Sequence, residues 1–429
     1  VPSRWIKDKA FAHPWLNDEC REALRLKHSA VGTASFAQRR DECTQTFLRT
    51  YNNYVAKVRS DLKGMSPSSR GWWKLSGSLL TKASGQENIP PLQRPDDSWA
   101  TTAEEKASEL ARVFQSKSTL PAAQTNRYST VEPPCGAQMP GFLRLRVRAV
   151  KKILRNLDEY SGTGPDLLPS RVLKRCAAEL ALPVTLLSRK MISEGSWPQC
   201  WRTHWVQGIH KRSSRAQGKN YRGVHLTPQL SKVVERAIGS LLVPWLEEVG
   251  AFGPHQYAYT KKKGYKDVLA INVCCWLLAL ELGFAVGVYC SDVSGAFDRV
   301  SSARLRAKLE RLGLHPGLLS FLVSWLEDRV AEVVVGGRSS GHERLADSVF
   351  QRTILGSPLR NVFYADARHA VTDLGFVETV FADDFNAWKT FRPREKGVLA
   401  HQHKAQHELH EWGRANQVLF DPSKESFHV

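Results

Sequence analysis

The stretch YCSDVSGAFDRV (residues 289–300) decides the fold class, and it directly follows the apolar run FAVGV of residues 284–288. A short apolar run of this kind, bounded by small turn-forming residues, predicts a β-strand. The predicted strand delivers Asp292 to its own end, and Asp298 follows in the next turn. This carboxylate marks the strand end as a candidate functional site.

A second acidic motif lies in VETVFADDFNAWK (residues 377–389). Two short apolar stretches flank Asp383 and Asp384, which predicts a hairpin with both acids at its tip. Taken alone, an Asp-Asp pair is more typical of a solvated turn. The pair gains meaning because a strand elsewhere in the chain ends in a further carboxylate.

Three aspartates gathered at strand ends would repel one another at neutral pH unless divalent cations lay between them. Carboxylate oxygens suit Mg²⁺, which keeps positions open for phosphate oxygens. Two such ions about 3.5–4 Å apart activate a 3′-hydroxyl and stabilise a leaving pyrophosphate. The acidic motifs together therefore predict phosphoryl transfer with two Mg²⁺ ions, for which Mn²⁺ is an alternative.

Composition supports a polyanionic partner. The formal net charge is +19, and the commonest partner of so basic a protein is nucleic acid. A cationic protein on a membrane surface is the alternative. The sequence has neither an apolar run of about 18 residues nor a basic leader, which predicts an intracellular protein that is not secreted and does not enter a membrane. Eight cysteines without a C-x-x-C pair favour free, mostly buried thiols.

The chain divides by composition. Residues 15–65 predict long basic helices, and residues 121–142 are rich in Pro, Gln and Thr. We therefore predict a basic helical segment over residues 1–120, a linker over 121–142, and a compact unit over 143–429. Helices and strands alternate in the last unit around a mostly antiparallel sheet, which indicates the α+β class.

The two acidic motifs, SDVSGAFD and FADD, resemble the metal-binding motifs of reverse transcriptases, particularly those of non-LTR (LINE-like) retrotransposons. The other segments follow in the order of that family: SGTGPDLLPSRVLK (161–174), KNYRGVHLTPQLSKVVERAI (219–238), HQYAYTKKKGYKDVLA (255–270), VFQRTILGSPLRNVFYADA (349–367) and WGRANQVLFDPSKESFHV (412–429). The resemblance implies the palm and fingers of a right-hand polymerase over residues 143–429, with an antiparallel palm sheet. It also implies a preceding basic segment, and a thumb would lie beyond the last residue.

The resemblance implies roles for individual residues near the first motif. Asp292 and Asp383 would ligate both metal ions, with Asp384 beside them and the carbonyl of Val293 as an extra ligand. Phe297 occupies the aromatic position that closes against the sugar of the incoming dNTP, where a ribonucleotide would clash. Packing in the core is the alternative for Phe297.

Further residues match nucleotide-binding positions of the family. Gln351 precedes the segment that lies against the new base pair, and Arg222 matches an arginine that contacts the triphosphate. Lys211 is a second phosphate candidate, and Lys424 is a candidate general acid for the pyrophosphate. Ordinary solvated lysines are the alternative for both. Lys261–Lys263 would contact template phosphates beside a channel, although such runs are usually solvated.

The chain departs from the family at two positions. Arg352 replaces a glycine that follows Gln351 in the family, and Ala258 replaces the glycine of the QxGF segment. A guanidinium at position 352 would intrude on the new base pair. The sequence therefore leaves two main hypotheses: an RNA-directed DNA polymerase acting on an RNA template, a DNA primer and dNTPs, or a catalytically decayed remnant that only binds nucleic acid. A maturase-like RNA-binding role is a third hypothesis, and the aromatic residue Phe297 disfavours an RNA-dependent RNA polymerase. The triad His403, His407 and His410 lacks an H-E-x-x-H arrangement, so a polar helix is favoured over a zinc site.

Overall fold

The computed structural model describes residues 15–66, 69–80, 89–122, 138–141, 143–211, 213–345 and 347–429. The chain forms two compact units, Val1–Asn88 and Ile89–Val429. The first unit contains helices α1 (Asp18–Ser29), α2 (Phe36–Gly64) and α3 (Arg70–Leu80). Asn17 begins α1 by accepting a hydrogen bond from the Cys20 amide at 3.0 Å, and α1 packs against α2. The long helices predicted over residues 15–65 are thus present.

The second unit is a mixture of helices and strands. Its helices are α4 (Ala103–Ser118), α5 (Val147–Arg155), α6 (Ser170–Arg175), α7 (Ala177–Glu194), α8 (Gln229–Glu248), α9 (Tyr265–Glu281), α10 (Ser302–Arg311), α11 (Pro316–Leu326), α12 (Gly356–Tyr364), α13 (His369–Thr372) and α14 (Val398–Asn416). Its strands are β1 (Leu92–Gln93), β2 (Trp99–Ala100), β3 (Thr203–His210), β4 (Tyr221–Leu226), β5 (Ala285–Asp292), β6 (Arg329–Val335), β7 (Arg338–Ser339), β8 (Glu343–Leu345), β9 (Val377–Phe381), β10 (Asp384–Phe391) and β11 (Ser426–His428).

Two sheets organise this unit. The four-stranded sheet has the order β11-β5-β10-β9 and is antiparallel throughout. The five-stranded sheet has the order β4-β3-β6-β7, with β8 also on β6, and only its β3–β6 pair is parallel. The predicted α+β class with mostly antiparallel strands is confirmed.

The apolar pattern explains how the helices pack on one another and on these sheets. In α5, Val150 and Leu154 are fully buried, because apolar residues at this spacing share one helix face, and α5 packs against α7 and α8. On the four-stranded sheet, Tyr289 and Ala387 pack with Leu409 of α14 in a separate apolar cluster. The opposite face of the sheet contacts α9, where the Asn272 amide donates to Thr379 at 3.0 Å.

The first domain boundary differs from the sequence prediction. The second unit begins at Ile89, because α4 packs its buried residues Ala107, Leu110 and Ala111 against the five-stranded sheet. A capping box formed by Thr102 and Glu105 begins this helix. Residues 89–118 therefore belong with the sheets and not with the basic helices. Much of the predicted linker, residues 123–137 and residue 142, lies outside the described residues.

The cysteines of the described residues are free, as predicted, but most are not buried. Cys20 and Cys43 are buried, whereas Cys176, Cys200 and Cys274 are exposed. Cys274 lies on the outer face of α9, which also exposes Leu277 at 60%. The expectation that the thiols are mostly buried was wrong at Cys274, because α9 is predominantly apolar but packs only one of its faces on the sheet. No helix in the described ranges is long and apolar enough to span a membrane.

Candidate active site

Strand pairing brings the two acidic motifs together. Asp292, the last residue of β5, is the register partner of Asp384, the first residue of β10. Ala382 and Asp383 form the two-residue turn between β9 and β10, so the predicted hairpin with acids at its tip is confirmed. The amide of Val293 donates to the Asp383 carbonyl at 3.4 Å. Three carboxylates therefore lie at one end of the four-stranded sheet, and we call them the edge carboxylates.

The edge carboxylates influence one another electrostatically. Partial burial raises the pKa of Asp384, and the neighbouring charges of Asp383 and Asp292 raise it further. Asp292 itself is buried, with 8% of its surface exposed. Like charges held at a strand end are unfavourable, which indicates that a cation belongs with them.

The ammonium of Lys424 supplies one positive charge at this position. It contacts the Asp292 carboxylate directly and lies 3.6 Å from Asp421, and these contacts raise the pKa of Lys424. The Asp421 amide donates to the Asp292 carbonyl at 3.0 Å, which ties the lysine segment to the end of β5. Sequence reasoning placed Lys424 near the site, and the structure brings its Nζ atom to Asp292.

The donor chemistry of the edge carboxylates fits a hard divalent cation. The contact between Lys424 and Asp292 shows that this carboxylate accepts a cation in this position. In the described ranges, no group of three or more His, Cys, Asp or Glu side chains is already arranged as a metal site. The residue types therefore suit Mg²⁺, whereas the side-chain positions are those of a site in which lysine neutralises one carboxylate.

The loop after β5 carries the aromatic candidate. Phe297 is half-buried, and its carbonyl accepts a hydrogen bond from the Val349 amide at 2.9 Å. The Tyr259 ring stands edge-on to the Phe297 ring at 6.2 Å, and the Arg360 guanidinium lies 5.9 Å from its centroid. The Phe297 ring therefore packs against the side chains of Tyr259 and Arg360.

The segment before α12 is attached to the same loop. The Gln351 side-chain amide donates to Asp298 at 3.2 Å, and the buried Glu235 accepts the Ile354 amide at 2.8 Å. Thr353 closes the turn by donating to the Phe350 carbonyl at 2.7 Å. Gln351 thus lies beside the loop that carries Phe297.

The basic candidates lie on the five-stranded sheet and near it. Arg222 is exposed on β4, and Lys211 is exposed just after β3, where its charge acts on Asp298. The described contacts do not join either residue to the edge carboxylates. Lys261 pairs with Glu247 at 3.2 Å, and the Lys263 ammonium donates to the Pro254 carbonyl at 2.9 Å.

Comparison with curated proteins identifies relatives for most of this chain. It is 28% identical over 284 residues to the RNA-directed DNA polymerase from mobile element jockey of Drosophila melanogaster, and 26% identical over 379 residues to that of Drosophila funebris. It is 23% identical over 372 residues to the probable RNA-directed DNA polymerase from transposon X-element of Drosophila melanogaster. These alignments cover 64%, 85% and 84% of the chain, respectively.

The chain is homologous to RNA-directed DNA polymerases of mobile elements. This finding confirms the resemblance to reverse transcriptases of non-LTR retrotransposons. The chain spans 30%, 41% and 40% of the length of these three relatives. No family model matches it.

Arg352 occupies the expected glycine position with a glycine-like backbone. Its φ is 67°, and its side chain is exposed. Non-glycine residues in this region are strained by about 1–2 kcal/mol. Arg352 therefore holds a backbone conformation that glycine adopts without strain. At the second departure, Ala258 has no positive φ, and its amide donates to Gln256 at 2.9 Å, so alanine is accommodated there.

Gln256 holds the acidic hairpin, a role that the sequence did not reveal. Its Oε1 atom accepts the amides of Ala382 at 3.2 Å and Ala258 at 2.9 Å. The Tyr257 amide also donates to the Val380 carbonyl at 3.0 Å, which adds this segment to the outer edge of β9. The turn that carries Asp383 is therefore anchored from outside the sheet.

Replacing Gln256 with leucine is expected to lower the free energy of unfolding by about 2–4 kcal/mol, because two amide groups lose their acceptor. Hydrogen exchange at the Ala382 amide is expected to accelerate. Gln402→Leu is a matched control, since this buried glutamine donates to the His428 carbonyl away from the hairpin. Urea unfolding and amide exchange measure both effects, and unchanged exchange at Ala382 in Gln256→Leu would refute the anchoring role.

Lys117 of α4 is a second residue that sequence reasoning missed. Its ammonium donates to the carbonyls of Lys219 at 2.9 Å and Tyr221 at 2.7 Å. Burial and the charge of Lys211 lower the pKa of Lys117 to about 8, although Asp298 opposes the shift. The residue lay in a segment that we assigned to another domain, so no sequence signal connected it with this loop.

The lowered pKa of Lys117 predicts a pH dependence of stability. Its ordinary pKa is 10.5, so between pH 8 and 10.5 the unfolded chain binds more protons than the folded chain. The free energy of unfolding of the parent, relative to Lys117→Met, should therefore rise by on the order of 1–2 kcal/mol across this window. Urea unfolding at several pH values measures it, with Lys106→Met on the same helix as control. If the free energy of unfolding of the parent relative to Lys117→Met does not change between pH 8 and 10.5, the prediction is wrong.

Glu425 fixes the position of the neighbouring Lys424. The Tyr289 hydroxyl donates to its carboxylate at 2.6 Å and the Gln406 amide at 2.7 Å, while the ring of His410 lies 2.8 Å away. These hydrogen bonds lower the pKa of Glu425 against the effect of burial. His410 therefore helps to hold the segment that carries Lys424 in place.

Proposed function

We propose that this chain is an RNA-directed DNA polymerase that adds deoxynucleotides to a primer 3′-hydroxyl on an RNA template. The register pairing of Asp292 with Asp384, next to Asp383, is the observation that carries the proposal. Homology to polymerases of mobile elements supports the reaction class. The four-stranded sheet would be the palm, and the five-stranded sheet with its helices would be the fingers.

The edge carboxylates would hold two Mg²⁺ ions, with Asp292 and Asp383 as ligands of both, Asp384 beside them and the Val293 carbonyl as an extra ligand. Such ions favour the ionised 3′-hydroxyl and stabilise charge on the pyrophosphate. Mn²⁺, which also accepts oxygen ligands, would substitute. The protein contributes rigidity here, because backbone hydrogen bonds join β5, the hairpin and the Lys424 segment.

The remaining residues bind and orient the dNTP. Arg222 and Lys211 would contact phosphate oxygens, for which a guanidinium fork and an ammonium are suited. Phe297 would pack against the sugar, and Gln351 would hold the segment beside the new base pair. The ammonium of Lys424 would move away from Asp292 and act as general acid, donating a proton to the departing pyrophosphate. The net charge of +19 attracts the template and primer.

A second candidate function is nucleic-acid binding without catalysis, which the side chain of Arg352 favours. An exposed guanidinium at the expected glycine position would obstruct the template base pair, while the basic surface would remain. The two functions differ in extension and not in affinity for a primer–template duplex.

Primer extension on an RNA template with Mg²⁺ and dNTPs separates the two functions. We expect the parent to extend the primer and Asp292→Asn to bind the duplex without extending it. Extension that appears only in Arg352→Gly would establish the decayed remnant. Absence of extension in both, with Mg²⁺ or Mn²⁺, would contradict the polymerase proposal.

Arg352→Gly is also expected to raise the free energy of unfolding by about 1 kcal/mol, because glycine adopts φ near 67° without strain. Arg394→Gly is the matched control, since Arg394 is exposed at φ 63° outside the polymerase motifs. Both variants should gain stability in urea unfolding, and only the first should alter extension. If Arg352→Gly gains none while Arg394→Gly does, strain at position 352 is excluded.

A further inference from the structure

Helix α9 exposes a broad apolar surface to solvent. Its inner face carries Val268, Asn272 and Ala279, which are buried where the helix packs on the four-stranded sheet. Residues 268–280 include no charged side chain. We call the outer surface the α9 face, and its exposed large apolar side chains are Leu269, Ile271, Val273, Leu277, Leu278, Leu280, Leu282 and Phe284.

The size of the α9 face is typical of a protein interface. Its large apolar side chains are between 39% and 66% exposed. Together they expose on the order of 700 Å², which is close to the roughly 800 Å² that each partner contributes to a standard interface. Apolar patches on soluble chains that exceed about 300–600 Å² mark interaction surfaces. The α9 face is therefore large enough to bind a partner.

The charge of the chain restricts the kind of partner. The net charge of +19 attracts polyanions, but the α9 face has no basic side chain between residues 268 and 280 to contact phosphate. Two copies of so basic a chain repel each other, so self-association requires a surface without cations. The α9 face meets that requirement, and burial of its apolar side chains on a like surface would drive the association.

The order of residues along the α9 face is self-complementary about Cys274. Ala270, Cys274 and Leu277 follow one another at spacings of four and three, which places them on one stripe of the helix. In an antiparallel pair of α9 helices with a two-fold axis at Cys274, residues equally distant from Cys274 face each other. The small side chain of Ala270 then faces the large side chain of Leu278 in the second copy.

The two ends of α9 carry opposite charges. Lys266 and the run Lys261–Lys263 lie at its beginning, and Glu281 is its last residue. Antiparallel pairing brings Glu281 of each copy towards the basic end of the other. Asp267 also lies at that end, where its carboxylate accepts the Gly264 amide at 2.6 Å and stabilises the helix N-terminus. Basic residues outnumber acidic ones there, so the approach of Glu281 is favourable.

We propose that the α9 face is a self-association surface, on which two copies of this chain pair through antiparallel α9 helices with Cys274 at the two-fold axis. Apolar burial at the centre and opposite charges at the ends stabilise the pair. The proposal does not depend on the proposed function, because α9 carries none of the residues assigned to the candidate active site.

Sedimentation velocity at several concentrations of the whole chain, under reducing conditions, tests the association. We expect the parent to form dimers with a dissociation constant on the order of micromolar. Leu277→Glu should weaken the dimer by at least about 100-fold, because it places a carboxylate in an apolar interface. Leu182→Glu on α7 is the matched control, since Leu182 is 54% exposed and Leu277 is 60% exposed. It should associate like the parent, and circular dichroism verifies that both variants fold.

Mild oxidation tests the register of the helices. A disulfide requires Cα atoms about 4.4–6.8 Å apart, a separation that residues facing each other at the two-fold axis can reach. Non-reducing electrophoresis should show a crosslinked dimer in the parent that is lost in Cys274→Ser. Cys200→Ser is the matched control, because Cys200 is also exposed but lies outside α9, and it should crosslink like the parent.

A parent that remains monomeric at all concentrations would overturn the proposal. Dimers that persist in Leu277→Glu would also overturn it, as would dimers that crosslink equally well in Cys274→Ser and the parent. Anionic phospholipid vesicles test a membrane surface as the other occupant. A monomeric parent that binds these vesicles, with binding lost in Leu277→Glu, would assign the α9 face to a membrane surface instead.

Discussion

Asp383→Asn is expected to lower primer extension by at least about 10³-fold while leaving affinity for a primer–template duplex within about twofold. The amide keeps the size of the side chain but removes the charge that would hold a divalent cation, a contribution of several kcal/mol to the transition state. Single-turnover extension on an RNA template measures the effect, with duplex binding measured in parallel. The most active form of the chain, the parent or Arg352→Gly, is the reference.

Asp373→Asn is a matched control for this prediction. Its side chain is 77% exposed in the turn after α13, outside the acidic motifs. Extension by this variant should equal that of the reference. Asp384→Asn should lose less extension than Asp383→Asn, because the proposal places Asp384 beside the ions. Equal extension by Asp383→Asn and its reference would remove Asp383 from the catalytic machinery.

Phe297→Ala is expected to reduce the preference for dNTPs over rNTPs by about 10- to 100-fold, because a removed side-chain contact changes discrimination by roughly 1–3 kcal/mol. The Phe297 ring lies against the side chains of Tyr259 and Arg360, which would limit its movement away from the 2′-hydroxyl of an incoming rNTP. The measurement is the ratio of incorporation efficiencies for a matched dNTP and rNTP.

Phe297→Tyr is the control variant, because it retains an aromatic ring at the same position and should preserve the preference. Extension with dNTPs should remain measurable in Phe297→Ala, since the residue does not hold the cations. If Phe297→Ala is folded and its preference is unchanged, the ring has only a packing role. That outcome would also restore an RNA-dependent RNA polymerase as an alternative, which the aromatic position disfavours.

Local patterns explain which parts of the site the sequence could predict. Asp292 ends an apolar strand, and Asp383 occupies a turn between two strands, so a few neighbouring residues define each position. Strand pairing then joins the two positions, as the resemblance to a known order of motifs indicated. The α+β class followed from the same alternation of helical and strand patterns.

Contacts between distant segments explain what the sequence could not predict. Gln256 reaches Ala382, and Lys117 lies beside the loop of Asp298, although neither residue belongs to an acidic motif. Arg360 lies in a helix whose other residues are mostly buried, where a charged side chain is unexpected. These side chains acquire their positions from tertiary packing alone, which no local pattern encodes.

The boundary of the second unit was missed for a related reason. The composition of residues 121–142 predicts a linker, and composition does not show that α4 packs on the five-stranded sheet. Its buried face, which includes Leu110, is complementary to residues more than ninety positions later, such as Gly208. Close packing of that kind is visible only in three dimensions.

We propose above that Asp292 and Asp383 bind divalent cations together at the end of the four-stranded sheet. The most direct measurement replaces Mg²⁺ with Fe²⁺ in the presence of ascorbate and peroxide, and maps where the backbone is cleaved by locally formed radicals. We expect cleavage next to Asp292 and next to Asp383, suppressed by excess Mg²⁺ and lost in Asp383→Asn. Cleavage at other segments, or an unchanged pattern in Asp383→Asn, would contradict it.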